Sequence, residues 1–332
     1  MTDPGVPSAE LVADRHRFVS PTRSTQWAVF AAGTIVILFV WLGPATRNVH
    51  WVNGDLLTYR QTLELMRHGA GYYDAAVTAL QDHSEVRFLR TPIMFWFWER
   101  TGLFTWPATL AVIVTAGVLV GILSWPLAGL GIELWLVGVN HPFGSEQWGY
   151  NEVWALPFVL LAMLGVRRER WWLAAMSALI AALVRETAVL VLVGGAIGAI
   201  VFKRPLVPWI TACLAWSAFM VWHLTQVFPR LEPSAMGPAS AGSVFHVLDM
   251  FGVWLVPLSA VIVVYALWRT RFTLEWFLVA PVSIAIPLAG SWLYRPYWSY
   301  LVLPPAVALL GISSSAVRAT RLGSRSPTPP VT

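Results

Sequence analysis

The sequence predicts an all-α membrane protein: a bundle of about ten transmembrane helices, with amphipathic helices lying at the interface in the first loop. Three observations carry this. Hydrophobic residues make up 57% of the 332 and charged residues only 12%, with a mean hydropathy of +0.63, whereas a soluble domain carries roughly 25% charge. Apolar runs recur from Trp27 to Ser315, and the charges are confined to short clusters between them. When the runs are threaded back and forth across a bilayer, the basic clusters fall on one side.

Residues 1–24 are polar, with proline and basic residues, and read as a disordered cytoplasmic tail. The first apolar run, about 27–43, starts later and runs longer than a cleaved leader would, so it reads as an uncleaved anchor. A polar excursion follows over 44–105. Within it, DLLTYRQTLELMRHG places Leu56, Tyr59, Leu63 and Met66 at helical spacing, with Gly69 as the stop. A second short helix, YYDAAVTALQDH, comes next. Both are too short and polar to span and suit the interface. Further apolar runs fall near 106–124, 127–139, 152–166, 171–184, 187–202, 207–224, 251–268, 274–290 and 301–316. The pair 171–184 and 187–202 reads either as two spans with a tight turn at 185–186 or as one long helix. The transmembrane domain thus covers 25–316, and 317–332 is a second disordered tail, basic and rich in proline and serine. Many of the 20 tryptophans, Trp27, Trp41, Trp106, Trp171, Trp172 and Trp276 among them, sit near run ends, where indole rings favour the interface.

Alternation through the spans puts Arg15, Arg17, Arg23, the RRER of 167–170, the KR of 203–204, the RTR of 269–271 and Arg318, Arg321 and Arg325 inside. Both termini are then cytoplasmic in a multi-pass plasma (inner) membrane. The net charge of +5 reflects this loop anchoring rather than a nucleic-acid partner. A single cysteine, Cys213, rules out a disulfide framework or a cysteine-based metal site. The remaining polar residues gather on the extracytoplasmic face: Asp55, Asp74, Arg90, Glu146, Glu152, Arg185, Glu186, Asp249 and Arg295. Charge at or near membrane depth is costly and marks function.

Each of these has a plain reading beside a chemical one. Asn53 or Asp55 suits the cap of the first loop helix, whose free N–H groups want a carboxylate or amide oxygen. Arg87 and Arg90, ahead of the aromatic stretch PIMFWFWER, suit phosphate oxygens or the membrane surface. Glu152 opens a helix, where its charge suits the dipole. The loop of 140–152 also holds His141, Glu146 and Asn151, without zinc-ligand spacing; an oxygen-ligated divalent ion is left open as a cofactor. Arg185 and Glu186 are adjacent between apolar runs, and neighbours on a helix do not face each other, so each needs a different partner. Arg295, among aromatics, suits an anionic head group or snorkels to the interface. No phosphate-binding loop, dinucleotide fingerprint, G-x-S-x-G or H-E-x-x-H is present.

The succession of an anchor span, Asp55 just outside it, and GDLLTYRQTLELMRHGAGYYDAA resembles the first loop of the GT-C superfamily of polytopic glycosyltransferases. Asp55 with Tyr59 matches a D-x-x-x-Y-like pattern, and Gly69 through Asp74 a G-x-x-Y-Y-D-like one. RTP at 90–92, NEVWALPFVLLAML and RPYWSYLVLPPAVALL are similar to the family's later motifs. The resemblance implies transfer of a sugar from a polyprenyl-phosphate donor to an extracytoplasmic glycan, lipid or protein in envelope assembly. It makes Asp55 the general base. It places Tyr59, Tyr73, Asp74, Arg90, Glu152, Arg185, Glu186 and Arg295 around the substrates, with Arg90, Arg185 and Arg295 as candidates to stabilise the departing phosphate. Two other classes fit the same composition: a transporter or flippase of a lipid-linked or anionic solute, and a non-catalytic membrane subunit of an envelope-assembly complex.

Overall fold

The computed structural model describes residues 22–41, 54–80, 91–140, 151–230, 273–288, 301 and 303–312. Among them every element is helical and no strand forms. In chain order the helices are α1 (Arg23–Trp41), α2 (Gly54–Arg67), α3 (Tyr72–Ala79), α4 (Ile93–Thr101), α5 (Trp106–Leu123), α6 (Pro126–Asn140), α7 (Asn151–Arg167), α8 (Trp171–Val184), α9 (Val189–Val201), α10 (Val207–Val227), α11 (Leu274–Leu288) and α12 (Leu303–Ile312). Short 3₁₀ turns cover Glu186–Ala188 and Phe228–Arg230. The apolar runs that lie among the described residues therefore become helices almost end to end. The alternative of one long helix over 171–202 does not occur, because the chain breaks at Arg185. The run near 251–268 and the two tails beyond residues 22 and 312 lie outside the described residues.

Among the described residues three segments are long and apolar enough to cross a membrane: Arg23–Val40, Trp106–Leu123 and Val207–Arg230. Their surroundings differ. α1 leaves Ile35 64% and Phe39 82% exposed, and α10 leaves Leu214 65% and Val221 64% exposed. In water such apolar flanks would be an aggregation liability. Against lipid they are what a spanning helix presents, since its backbone is already satisfied internally.

Apolar burial alone does not hold helices together in lipid, because lipid tails are as apolar as leucine; close packing over small residues does. α5 and α6 meet at Gly117, Gly121 and Gly129. A Cβ on Gly129 would run into the Gly117 carbonyl and stand 3.0 Å from the Gly121 nitrogen. Likewise α9 meets α11 where a Cβ on Gly194 would collide with the Phe277 carbonyl. The α7–α8 hairpin is equally tight, with Gly165 against the Ala174 backbone.

The first-loop helices are amphipathic, and it is their apolar faces that dock. On α2, Tyr59, Leu63 and Met66 are buried while Arg60, Gln61, Glu64 and Arg67 face out. Gly69 takes φ +94°, a left-handed conformation that costs glycine nothing, and so ends α2 and turns the chain into α3. α3 then buries Tyr72, Tyr73, Ala75 and Ala76.

Gly129→Val should force α5 and α6 apart and destabilise the folded chain by about 1–3 kcal/mol. Gly131→Ala, into open space on the same helix, should stay within about 0.5 kcal/mol of the parent. Thermal unfolding in detergent distinguishes the two.

Candidate functional site

The break between α8 and α9 builds the site. Arg185 leaves the helix with extended backbone angles, φ −141° and ψ 113°, and its side chain turns inward until only 2% is exposed. There its Nε lies 2.6 Å from Oε1 of Glu152, in the first turn of α7, and Nη1 lies 3.4 Å from Oε2 of Glu186. Glu152 is equally buried, whereas Glu186 is 25% exposed. Glu186 has a second task. Its Oε1 accepts the backbone N–H of Thr91 at 2.9 Å, and the Thr91 hydroxyl donates to the Leu183 carbonyl at 2.5 Å. Leu183 lies in the last turn of α8, where carbonyls lack helical partners. One residue pair at the chain break thus ties α7, α8 and the entry to α4 together.

Beside it, Asn151 is fully buried and its carboxamide makes no hydrogen bond through either atom. The indole N–H groups of Trp154 and Trp98 and the Thr187 hydroxyl are also buried without a hydrogen-bond partner. Buried polar groups are nearly always paired, so a local concentration of orphans asks for a polar guest. Charge argues about which kind. Among the described residues two carboxylates face one guanidinium, an excess of negative charge that does not favour an anion.

A second cluster joins α3 to the end of α10. The Tyr73 hydroxyl lies 2.9 Å from Nδ1 of His223, and Arg230 donates from Nε to Asp74 Oδ1 at 2.7 Å while its guanidinium sits 5.7 Å above the Tyr73 ring. Burial pushes the Tyr73 phenol from 10.0 up to about 12, and the Arg230 charge pulls partly the other way. The phenol therefore keeps its proton, and the tautomer of His223 sets which of the two groups donates in their hydrogen bond. An aromatic run connects the two clusters: Tyr73 on Tyr72 and Tyr72 on Phe95, each at 5.0 Å, Phe95 on Trp98 at 5.6 Å, and Trp98 on Trp154 at 5.7 Å.

The sequence-predicted residues therefore separate into groups. Glu152, Arg185 and Glu186 come together. Tyr73 and Asp74 form a different cluster with His223 and Arg230. Tyr59 is buried, packed on Phe95 at 5.1 Å and Trp98 at 6.2 Å. Asp55 occupies the second position of α2; its side chain, and with it the choice between cap and base, lies outside the described residues, as do Arg90, Arg295, His141 and Glu146. Among the described residues no group of three or more histidine, cysteine or acidic side chains could hold a metal.

Sequence reasoning passed over His223, Arg230 and Glu133. His223 and Arg230 stand singly at the end of an apolar run, a weak signal. Glu133 is stronger: one carboxylate inside GLGIELWLV. It is fully buried in α6, accepts the Thr34 hydroxyl at 2.7 Å, and lies over Gly117, where a Cβ would stand 2.5 Å from Oε1. That second oxygen has no hydrogen-bond partner.

No protein-family model, curated protein or solved structure matches this chain.

Arg185→Met strands buried carboxylate charge and should cost about 3–5 kcal/mol, whereas Arg185→Met combined with Glu152→Gln should recover a large part of that loss; chemical unfolding of both variants checks this. The raised Tyr73 pKa sets a pH window. Folded and unfolded chains both hold the proton below 10.0, and above it only the unfolded chain releases it until about 12, so stability falls as pH rises across that interval. Tyr73→Phe should flatten that alkaline loss relative to the parent in unfolding curves recorded across the same range.

Proposed function

We propose that the chain is a membrane glycosyltransferase of GT-C type, moving a sugar from a polyprenyl-phosphate donor to an extracytoplasmic acceptor. The observation that carries this reading is the Glu152–Arg185–Glu186 set at the α8–α9 break, beside an Asn151 amide that is unpartnered among the described residues. A sugar ring supplies what the Asn151 amide lacks: hydroxyls that donate to its carbonyl, and lone pairs for its N–H groups. The geometry thus favours the donor sugar, rather than its phosphate, as the guest of this cluster.

The reaction then divides its roles. Asp55 takes the proton of the acceptor hydroxyl as that oxygen attacks the anomeric carbon. The bond from that carbon to the phosphate oxygen breaks, the anomeric centre inverts, and polyprenyl phosphate leaves. Arg90 and Arg295 stabilise the departing charge, because Arg185 is already compensated by its two carboxylates. Tyr73 and Asp74 hold α3 in place through His223 and Arg230, and Tyr59 supports α2. About ten spans with both termini cytoplasmic put these residues on the outer face. The lipid tail lies between spans.

A specific observation favours a second reading, a transporter or flippase. Glu133 is a carboxylate inside an apolar helix, buried and bonded on one side only, and intramembrane acids of this kind line solute and proton paths.

Vesicles containing the chain and a radiolabelled polyprenyl-phosphate sugar separate the readings. Asp55→Asn should lower transfer by about 100-fold or more while yield and thermal unfolding hold, and Glu133→Gln should leave transfer intact. Undiminished transfer in Asp55→Asn rejects the base assignment. Solute movement that Glu133→Gln abolishes, with no new glycosidic bond, establishes the transporter instead.

A further inference from the structure

A cavity of about 370 Å³ opens between α2, α3 and α4, lined by Met66, Gly71, Tyr72, Trp96, Glu99 and Arg100. Its size lies within the range of small-ligand sites. Two of the lining residues are aromatic, Trp96 and the largely buried Tyr72, and both rings pack on others: Trp96 on Trp222 at 5.9 Å, and Tyr72 on Phe95 and Tyr73 at 5.0 Å. Rings held this way are preorganised surfaces. Glu99 is half-buried and Arg100 exposed, and neither has an ion-pair or hydrogen-bond partner among the described residues. Because consecutive residues on a helix do not face each other, the carboxylate and the guanidinium are presented separately to whatever enters.

We infer that this cavity binds a saccharide ring. The two charges cancel, so neither an anion nor a cation is selected. What remains is one strong acceptor, one forked donor set and two ring walls. A saccharide matches all three, with hydroxyls around its edge and an apolar C–H face for the rings. A zwitterionic headgroup matches the charges but leaves the ring walls uncovered. The inference rests on the transferase reading for its meaning: it makes the cavity an acceptor subsite, and the acceptor a glycan chain or a glycolipid headgroup. The binding itself does not depend on that reading.

The site offers a clean substitution. Gly71 has φ −65° and ψ 149°, angles open to any L-residue, and a Cβ there would meet only Asp74 Oδ2 at 3.6 Å. Gly71→Leu therefore adds a bulky side chain at the cavity's lining without straining the backbone.

The test uses the full chain in lipid nanodiscs, with tryptophan fluorescence as the readout. The probes are maltotetraose, mannotetraose and xylotetraose as free glycans, octyl mannoside below its micellar concentration as a glycolipid, and dihexanoyl phosphatidylethanolamine. Saturable binding of a free tetrasaccharide is expected, weakened about tenfold or more by Gly71→Leu and by Glu99→Gln. Thermal unfolding of both variants should match the parent. Binding of octyl mannoside alone, with the same sensitivity to the variants, assigns the ring to a glycolipid. Binding of the phosphatidylethanolamine probe alone, no binding of any saccharide, or binding indifferent to both variants overturns the inference. Asp55→Asn should bind the saccharide like the parent. If it also transfers like the parent, the base assignment fails and the saccharide subsite stands.

Discussion

The structure turns on one buried guanidinium. Taking a charged group out of water costs several kcal/mol even after relaxation, and only close counter-charges offset it. Arg185, 2% exposed, meets that demand with Glu152 from α7 and Glu186 from the following turn. The backbone yields to the side chain here: the helix that would run from Trp171 to Val201 is interrupted so that Arg185 can reach inward. The interruption frees the carbonyls at the end of α8, and Thr91 uses one of them. Entry of the chain into α4 is thereby fixed, and α4 carries Phe95, Trp96 and Trp98, on which the first-loop helices rest.

From that anchor the molecule separates two kinds of attachment. The helices of the apolar bundle meet over glycine and alanine, where backbones touch and van der Waals contact does the holding. The loop helices α2 and α3 are held differently, by aromatic faces and by the polar pairs Tyr73–His223 and Asp74–Arg230. The first kind is rigid and insensitive to solvent. The second is polar, partly exposed and close to the cavity between α2, α3 and α4. Glu133 belongs to neither kind. Its hydrogen bond to Thr34 ties α1 to the bundle across 99 residues of sequence.

Much of the fold was legible because hydropathy is a local property. Each apolar run among the described residues became a helix within a few residues of its expected ends, and the face of α2 carrying Tyr59, Leu63 and Met66 was read from spacing alone. The break at Arg185 was one of two readings the sequence left open. The expectation that Arg185 and Glu186 meet different partners holds only in part, since outside helical geometry the two also reach each other at 3.4 Å. Pairings were not legible. Tyr73 and His223 lie 150 residues apart, and nothing in the spacing around either names the other. Glu152 and Arg185 were singled out, but that they pair with each other emerges only from their 2.6 Å contact. Glu133 was missed because one acid in an apolar run barely lowers the run's hydropathy.

The central claim is that a sugar leaves a lipid phosphate and becomes bonded to an acceptor on the outer face. Its most direct measurement is the product itself: the parent chain in vesicles, a polyprenyl-phosphate sugar of known anomeric configuration, and an oligosaccharide acceptor, with the new linkage read by nuclear magnetic resonance. The account predicts one added sugar per donor consumed, in a glycosidic bond of configuration opposite to the donor's. Movement of donor or solute across the membrane with no new bond, or a product that keeps the donor's configuration, would contradict it.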